Sequence, residues 1–383
     1  MTARILALDH TGVLGGAELS MLDVVAGLDE DVRVRLFADG PFREALSARG
    51  ADVRVLPMGA LANVKKGSRV PSPRALAAAW RLAGEVAREA HSARVLYANS
   101  EKAFIVAALA AGRCHLPVVW HLRDLLGPPH FSALNTRGAV MLANWRASRV
   151  IANSRATADA FVAAGGDGGR VRVVHNGIAA ASFDDVPAGA APALRAELSP
   201  NAAYVMAIFG RLHAWKGQQI AIDALAQLPA DCHLWVVGAP LFGEDEFAAG
   251  LQSQAMRRGV SDRVKFLGFR HDIAPLMHAC DVVVHASTLP EPFGRVLVEG
   301  MLAGRPVIAA AAGGVGEIIT NGTTGVLVPP GDAAALARAV ARLRAEPVRA
   351  AALASAGAVH ARAAFSLEAM VRGVRAVLDE VAG

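Results

Sequence analysis

The feature that most constrains the fold is a repeated alternation: short, apolar, β-branched runs, each followed by a loop and then by a segment long enough for a helix. Arg4 to Asp9, Val32 to Ala38, Arg94 to Ala98, Pro117 to His121, Arg149 to Asn153 and Val171 to Gly177 read as strands in the first half. Asp184 to Pro200, rich in Ala, Pro and Asp, has the composition of a linker. Beyond it the pattern restarts with strands at Tyr204 to Phe209, His233 to Val237, Val264 to Leu267, Val282 to His285, Val307 to Ala310 and Val326 to Val328. Helical segments such as Ala17 to Leu28, Arg74 to His91 and Gln218 to Gln227 separate most of them. This alternation predicts an α/β chain with two doubly wound, Rossmann-like units in series, facing across a cleft lined by two sets of carboxyl strand ends.

With 383 residues the chain is long enough for two cores, and an apolar fraction of 54% with 19% charged residues excludes a largely disordered protein. A net charge of +5, without long Lys/Arg runs or interleaved aromatics, argues against a nucleic-acid groove and suits small anionic substrates or an anionic membrane surface. Cys114, Cys232 and Cys280 are odd in number and far apart, so no disulfide framework or zinc spacing follows. The N-terminal stretch turns polar too early for a signal peptide, and no apolar run reaches the ~18 residues of a membrane span. The expectation is a soluble, cytoplasmic protein.

Glu291-Pro-Phe-Gly-Arg-Val-Leu-Val-Glu299 follows the buried strand Asp281 to Ala286. If Arg295 to Leu302 is helical, the amides of Phe293, Gly294 and Arg295 sit at its N-terminus, an anion site by virtue of unpaired N–H groups and the helix dipole. Glu299, about one turn in, has the reach to accept hydrogen bonds from paired sugar hydroxyls. Gly210-Arg-Leu-His-Ala-Trp-Lys-Gly217 is not a Walker A loop, because Lys216 precedes its glycine, but Arg211 and Lys216 at the start of a helix suit a diphosphate. In the first half, His10-Thr-Gly-Val-Leu-Gly-Gly16 lacks the G-x-G-x-x-G spacing of a dinucleotide fold, although Asp39 ends the next strand. His121, at a strand end, shares the edge of the Gly15-Gly16 loop and so is placed toward a cleft. Asp29-Glu-Asp31 has the spacing of a metal triplet but reads as a solvated turn. Asn63 to Arg74, with Lys65, Lys66, Arg69 and Arg74, reads as a mobile loop or as one that meets a phosphate or an anionic membrane.

Gly15-Gly-Ala-Glu18, Gly210-Arg-Leu-x-x-x-Lys-Gly217, Glu291-Pro-Phe-Gly-x-x-x-x-Glu299 and Gly313-Gly-x-x-Glu317, in that order, resemble the retaining glycosyltransferases of family 4, which have the two-domain GT-B fold. The resemblance implies an acceptor-side domain over 1–185, a donor domain over 186–365 and a final helix, 366–383, crossing back to the first. It implies transfer of a sugar from a nucleotide diphosphate, UDP before GDP, to a hydroxyl acceptor, lipid-linked or phosphate-bearing, with retention, without metal or cofactor, and with peripheral contact to the inner face of a membrane. Carried over by residue, Arg211 and Lys216 would neutralise the diphosphate, and Glu291 would bind donor-sugar hydroxyls. Phe293, Gly294 and Arg295 would hold sugar or phosphate, Glu299 the ribose, and Arg270 would lie near the base. Gly15, Gly16 and Gly210 would line the donor site, with His121 near the reacting sugar. Trp215 departs from the acid the family often has before the lysine. Two carboxylates also raise a glycoside hydrolase, and the fold alone also admits a nucleotide-sugar epimerase or a non-catalytic partner subunit.

Overall fold

The computed structural model describes residues 5–28, 32–64, 72–241 and 243–382. Asp29 to Asp31, and Lys65, Lys66 and Arg69 of the basic loop, lie outside the described residues. The chain forms two compact units, residues 1–177 with 367–383, and residues 178–366.

The first unit is a seven-stranded parallel sheet: β1 (Ile5–Asp9), β2 (Val32–Leu36), β3 (Asp52–Val55), β4 (Val95–Ala98), β5 (Val118–Leu122), β6 (Ala147–Ala152) and β7 (Val171–Val173), in the order β3-β2-β1-β4-β5-β6-β7. The central strands β1, β4 and β5 are buried along their whole length, as strands covered on both faces must be. β3 escapes the sequence reading. It is an edge strand with an exposed-intermediate alternation, so it lacks the continuous apolar run of its neighbours. One apolar layer seats Phe104 flat on Trp120, ring centroids 4.4 Å apart. The other is completed from far along the sequence. Helix Leu367–Ala382 returns to this unit and buries Met370, Val374 and Leu378 with Met21 and Leu22 of helix Gly16–Gly27.

The second unit is a six-stranded parallel sheet: β8 (Tyr204–Phe209), β9 (Cys232–Val237), β10 (Val264–Gly268), β11 (Val282–His285), β12 (Val307–Ala310) and β13 (Val326–Val328), in the order β10-β9-β8-β11-β12-β13. The stretch read as a linker is folded into this unit. Within it lies helix Ala190–Leu198, whose Arg195 donates to Asp281 at 2.7 Å and to the carbonyl of Ala279, while Leu194 and Leu198 pack on the core. Alanine and charge at that point mark a half-exposed helix, a pattern composition alone does not separate from a tether. No helix of the described residues is long and apolar enough to cross a membrane.

In both sheets the strand order reverses once, between β1 and β4 and between β8 and β11. At such a reversal the connections leave in opposite directions and open a crevice beyond the carboxyl ends of the strands, the usual ligand position in open α/β sheets.

Candidate active site

In the second unit the loops after β8 and β11 flank the crevice. The β8 loop runs 210–217 and is pressed against the β11 loop by main-chain contact. Gly217 has φ +79°, and a Cβ there would sit 1.8 Å from the Ala286 carbonyl oxygen, so only glycine fits. The amide of Thr288 donates to the carbonyl of Trp215 at 2.8 Å. The loop after β12 locks the β11 loop from its other side. Gly313, φ +67°, lies so close to Glu291 that a Cβ would fall 2.2 Å from its carbonyl oxygen, and the Gly314 amide donates to that same oxygen at 2.8 Å. Gly313 and Gly314, the pair that opens the pattern Gly313-Gly-x-x-Glu317, here fix the backbone of Glu291 and Pro292.

Held this way, Lys216 and Glu291 meet. Lys216 Nζ donates to both carboxylate oxygens of Glu291, at 2.9 and 3.0 Å, and lies 4.0 Å from the centroid of the Trp215 ring. Trp215, in the place of an acid, therefore gives the lysine an aromatic wall. Ser287 Oγ donates to Glu291 Oε2 at 3.1 Å, and His285 Nε2 lies 3.2 Å from the same oxygen and 3.0 Å from Ser287 Oγ. Glu291 is buried, which by itself raises a carboxyl pKa. The Lys216 charge and the His285 contact outweigh that and hold it well below the ordinary carboxylate range. Stability from this carboxylate is thus present above about pH 4.5 and is lost as pH falls toward its folded value.

Helix Arg295–Leu302 begins at Gly294, which is left-handed at φ +102°. Arg295 Nε lies 3.4 Å from Glu299 Oε1, one turn on. Phe293 is buried edge-on against Phe365, centroids 5.6 Å apart, so its ring anchors the loop in the core. Arg211 lies in the same loop as Lys216, half-buried, its carbonyl accepting from Gln218 Nε2 at 3.0 Å. Gly210 is packed under Gly238, whose Cβ would meet the Gly210 carbonyl oxygen at 2.0 Å. Arg270 follows β10 and is tied to Asp272 by two hydrogen bonds, 2.7 and 2.5 Å.

In the first unit the crevice at β1 and β4 is polar and buried. Asp9 ends β1 and accepts from Asn99 Nδ2 at 2.5 Å. Arg123, just past β5, donates to Asn99 Oδ1 at 3.0 Å, to Ser20 Oγ at 2.8 Å and to Asn176 Oδ1 at 2.6 Å. Three strand ends and helix Gly16–Gly27 are therefore joined through one buried guanidinium, and β1 is added through Asn99. Gly15 and Gly16 open that helix, and the Gly15 amide donates to Glu18 Oε2 at 3.0 Å. Burial first, and the charge of Asp9 second, push the Glu18 carboxyl up to about 7. His121 is fully buried in β5, with Nδ1 2.5 Å from the Tyr97 hydroxyl.

Sequence reading placed Lys216 and Glu291 in one site with separate duties, and the structure adds that they are paired. His285 and Ser287 carry no sequence spacing that marks them, since His285 reads only as the end of the strand Val282 to His285. Sequence reading also missed the network around Arg123, whose partners come from positions 9 to 176 and carry no local spacing. Among the described residues no group of three or more His, Cys, Asp or Glu is arranged to hold a metal ion.

Two Rossmann-like parallel-sheet units, each with a polar constellation at its strand-order reversal, define the GT-B architecture. Residues 15–177 match the model of the glycosyl transferase 4-like domain and residues 203–346 that of glycosyl transferases group 1. The crystal structure of Anabaena HepE in complex with UDP-glucose is 39% identical, with a TM-score of 0.91 over 99% of this chain and 100% of that one. The D-inositol 3-phosphate glycosyltransferase of Mycobacterium marinum is 30% identical over 387 aligned residues, 95% of this chain and 80% of its own length. The chain belongs to the family 4, group 1 glycosyltransferases. It spans less of other curated relatives: 43% of the lipopolysaccharide core biosynthesis glycosyltransferase LpsE of Rhizobium meliloti, at 36% identity over 153 residues, and 41% of the D-inositol 3-phosphate glycosyltransferase of Mycobacteroides abscessus, at 36% over 187. Several of these curated relatives are thus matched over about half their length or less.

Proposed function

We propose that this chain is a retaining, metal-independent glycosyltransferase that moves a hexose from a UDP-sugar to a hydroxyl acceptor in the synthesis of a polysaccharide, glycolipid or natural product. The observation that carries this is the Lys216–Glu291–His285–Ser287 constellation at the β8/β11 reversal. Likeness to a UDP-glucose complex over the whole chain supports the choice of donor. Cleavage of the sugar–phosphate bond sends its electron pair to the β-phosphate oxygen. Lys216, Arg211 and the amides at Gly294 and Arg295 stabilise that charge. Glu291, already holding Lys216, accepts sugar hydroxyls beside it, and Glu299 accepts the ribose hydroxyls. The acceptor oxygen bonds to the anomeric carbon on the face the phosphate leaves, and its proton passes to the departing phosphate, so no protein nucleophile is required.

The donor assignment is tested by thermal stabilisation with UDP-, GDP-, ADP- and TDP-sugars. A UDP-sugar at a hundred times its Kd is expected to add about 2.7 kcal/mol. Glu299→Ala is expected to lose most of that increment. A response to GDP alone overturns the base, and no response from folded protein overturns the donor site.

The same reading includes work at an anionic bilayer, supported by a surface of the first unit. Trp80 is 58% exposed, and Arg113 lies over its ring at 4.1 Å while donating to its carbonyl. Beside Arg113, Gly112 lets Arg146 lie close, 3.4 Å from where a Cβ would be, and Arg146 covers Trp145, itself 69% exposed. Met141 and Leu134 extend the exposed face along helix Ala133–Arg146, which has no acidic residue. The acids on the two adjoining helices are Glu85, Glu89, which pairs with Arg35, and Glu101, at the far end from Arg113. Indole rings with guanidinium partners suit a headgroup layer of negative charge. Flotation is expected with vesicles containing phosphatidylglycerol and not with phosphatidylcholine alone. Trp80→Ala with Trp145→Ala should abolish it, and equal binding by that double variant removes this surface from the reading.

A further inference from the structure

The geometry points to His285 and Ser287 as positioning residues that fasten one oxygen of the Glu291 carboxylate, Oε2, and leave the other, Oε1, to accept from a hydroxyl of the bound sugar. The part of this concerning the sugar rests on the function proposed above. The part concerning the carboxylate rests on the second unit alone.

His285, Ser287 and Glu291 are all buried. Oε2 of Glu291 accepts from Lys216 Nζ at 3.0 Å and from Ser287 Oγ at 3.1 Å, and His285 Nε2 lies 3.2 Å from it. Among the described residues Oε1 accepts from Lys216 Nζ alone, at 2.9 Å. A carboxylate oxygen offers about two lone pairs, so Oε2 is fully engaged while Oε1 keeps capacity for a further donor. Lys216 is nearly symmetric between the two oxygens and by itself favours neither. The asymmetry comes from Ser287 and His285, which fix the plane of the carboxylate and so the direction from which Oε1 accepts.

This requires His285 to donate from Nε2. The carboxylate, kept ionised by Lys216 against the cost of burial, has no proton to give. A bare Nε2 would set its lone pair against those of Oε2. Ser287 has one hydroxyl proton, which goes to Oε2, so its oxygen accepts from the same Nε2–H at 3.0 Å. On the other side of the ring, Nδ1 is buried without a hydrogen-bond partner among the described residues. A second proton there would be a buried donor with no acceptor, in a site where Lys216 already balances the carboxylate. The ring is therefore neutral, with its proton on Nε2. Oε1, which only accepts, selects a hydroxyl and not an ether or ring oxygen.

Imidazole 15N spectra of protein labelled in its histidines test the donor directly and need no sugar. The His285 signals are those lost in His285→Gln. Protonated Nε2 with bare Nδ1 is expected in the wild type, and also in Ser287→Ala, where the carboxylate still accepts. Nδ1 protonated, alone or together with Nε2, overturns the inference.

UDP release tests the positioning. UDP-glucose is compared with analogues that each lack one glucose hydroxyl. The wild type is expected to disfavour one of them by at least about tenfold in kcat/KM, because Oε1 is left without its donor. In His285→Leu combined with Ser287→Ala that ratio is expected to fall toward unity while the ratios for the other analogues hold. The single variants, each keeping one neutral donor on Oε2, are expected to show part of the change, and they carry the test if the double variant does not fold. His285→Gln, whose amide restores a donor near Nε2, is expected to recover most of what His285→Leu loses. A merely structural role would lower kcat/KM for every donor alike and leave the ratios unchanged, and that result overturns the positioning role. Equal use of all the donors by the wild type overturns the sugar contact of Oε1, while the spectra still decide the hydrogen bond. Failure of the wild type to release UDP from any of them would instead tell against the proposed function.

Discussion

Lys216→Met is expected to cost the second unit about 3 kcal/mol, because it leaves the buried Glu291 carboxylate facing His285 and Ser287 with its cation gone. For a unit of this size that is a fall of roughly 6–12 °C in its thermal midpoint. Methionine keeps most of the lysine stem, so the loss reports charge more than packing. The double variant Lys216→Met, Glu291→Gln should recover most of the stability, since a neutral amide in the same place can still accept from Ser287 and needs no counter-charge. Activity should behave differently. UDP release should fall at least a hundredfold in the single variant and stay there in the double, because a diphosphate leaving group has lost a cation in both. Recovery of both quantities together would mean that Lys216 serves only to neutralise Glu291.

Glu18→Gln is expected to remove a pH dependence from the stability of the first unit. The Glu18 carboxyl has its pKa raised from 4.5 to about 7 by burial and by Asp9. A raised carboxyl pKa favours the folded state while the group is protonated. That contribution is complete below about pH 4.5 and is lost as pH rises through 7. The difference corresponds to roughly 3 kcal/mol. Denaturant melts of the wild type from pH 4.5 to 8 should show this decline. Glutamine, neutral throughout and still able to accept from the Gly15 amide, should flatten it and be the more stable form above pH 7. Parallel slopes in the two proteins would show that the carboxyl is not the titrating group.

How much of this could be read without coordinates depended on whether the signal was local. Buried strands such as Val282–His285 and Tyr204–Phe209 announce themselves as apolar runs, and the helix at Arg295 by what precedes it. β3 did not, because Asp52 and Arg54 alternate with its valines at a sheet edge. Helix Ala190–Leu198 did not, because its signal is a few apolar contacts among residues common in tethers. At the site, charge and glycine spacing located Lys216, Glu291 and Gly313, yet the duty of Gly313 became clear only from the 2.2 Å that separates its missing Cβ from the Glu291 carbonyl. Arg123 was the furthest from view. A buried arginine has no sequence signature when its acceptors, Ser20, Asn99 and Asn176, are spread over most of a domain.

The return of helix Leu367–Ala382 to the first unit has a consequence for how the protein comes into being. During synthesis the ribosome completes 178–366 before it delivers the helix that covers Met21 and Leu22. The second unit can therefore mature first, although it is encoded later than most of the first. Until the final helix emerges, the part of one apolar layer that it covers beside Met21 and Leu22 must wait exposed, open to chaperones or to unwanted association.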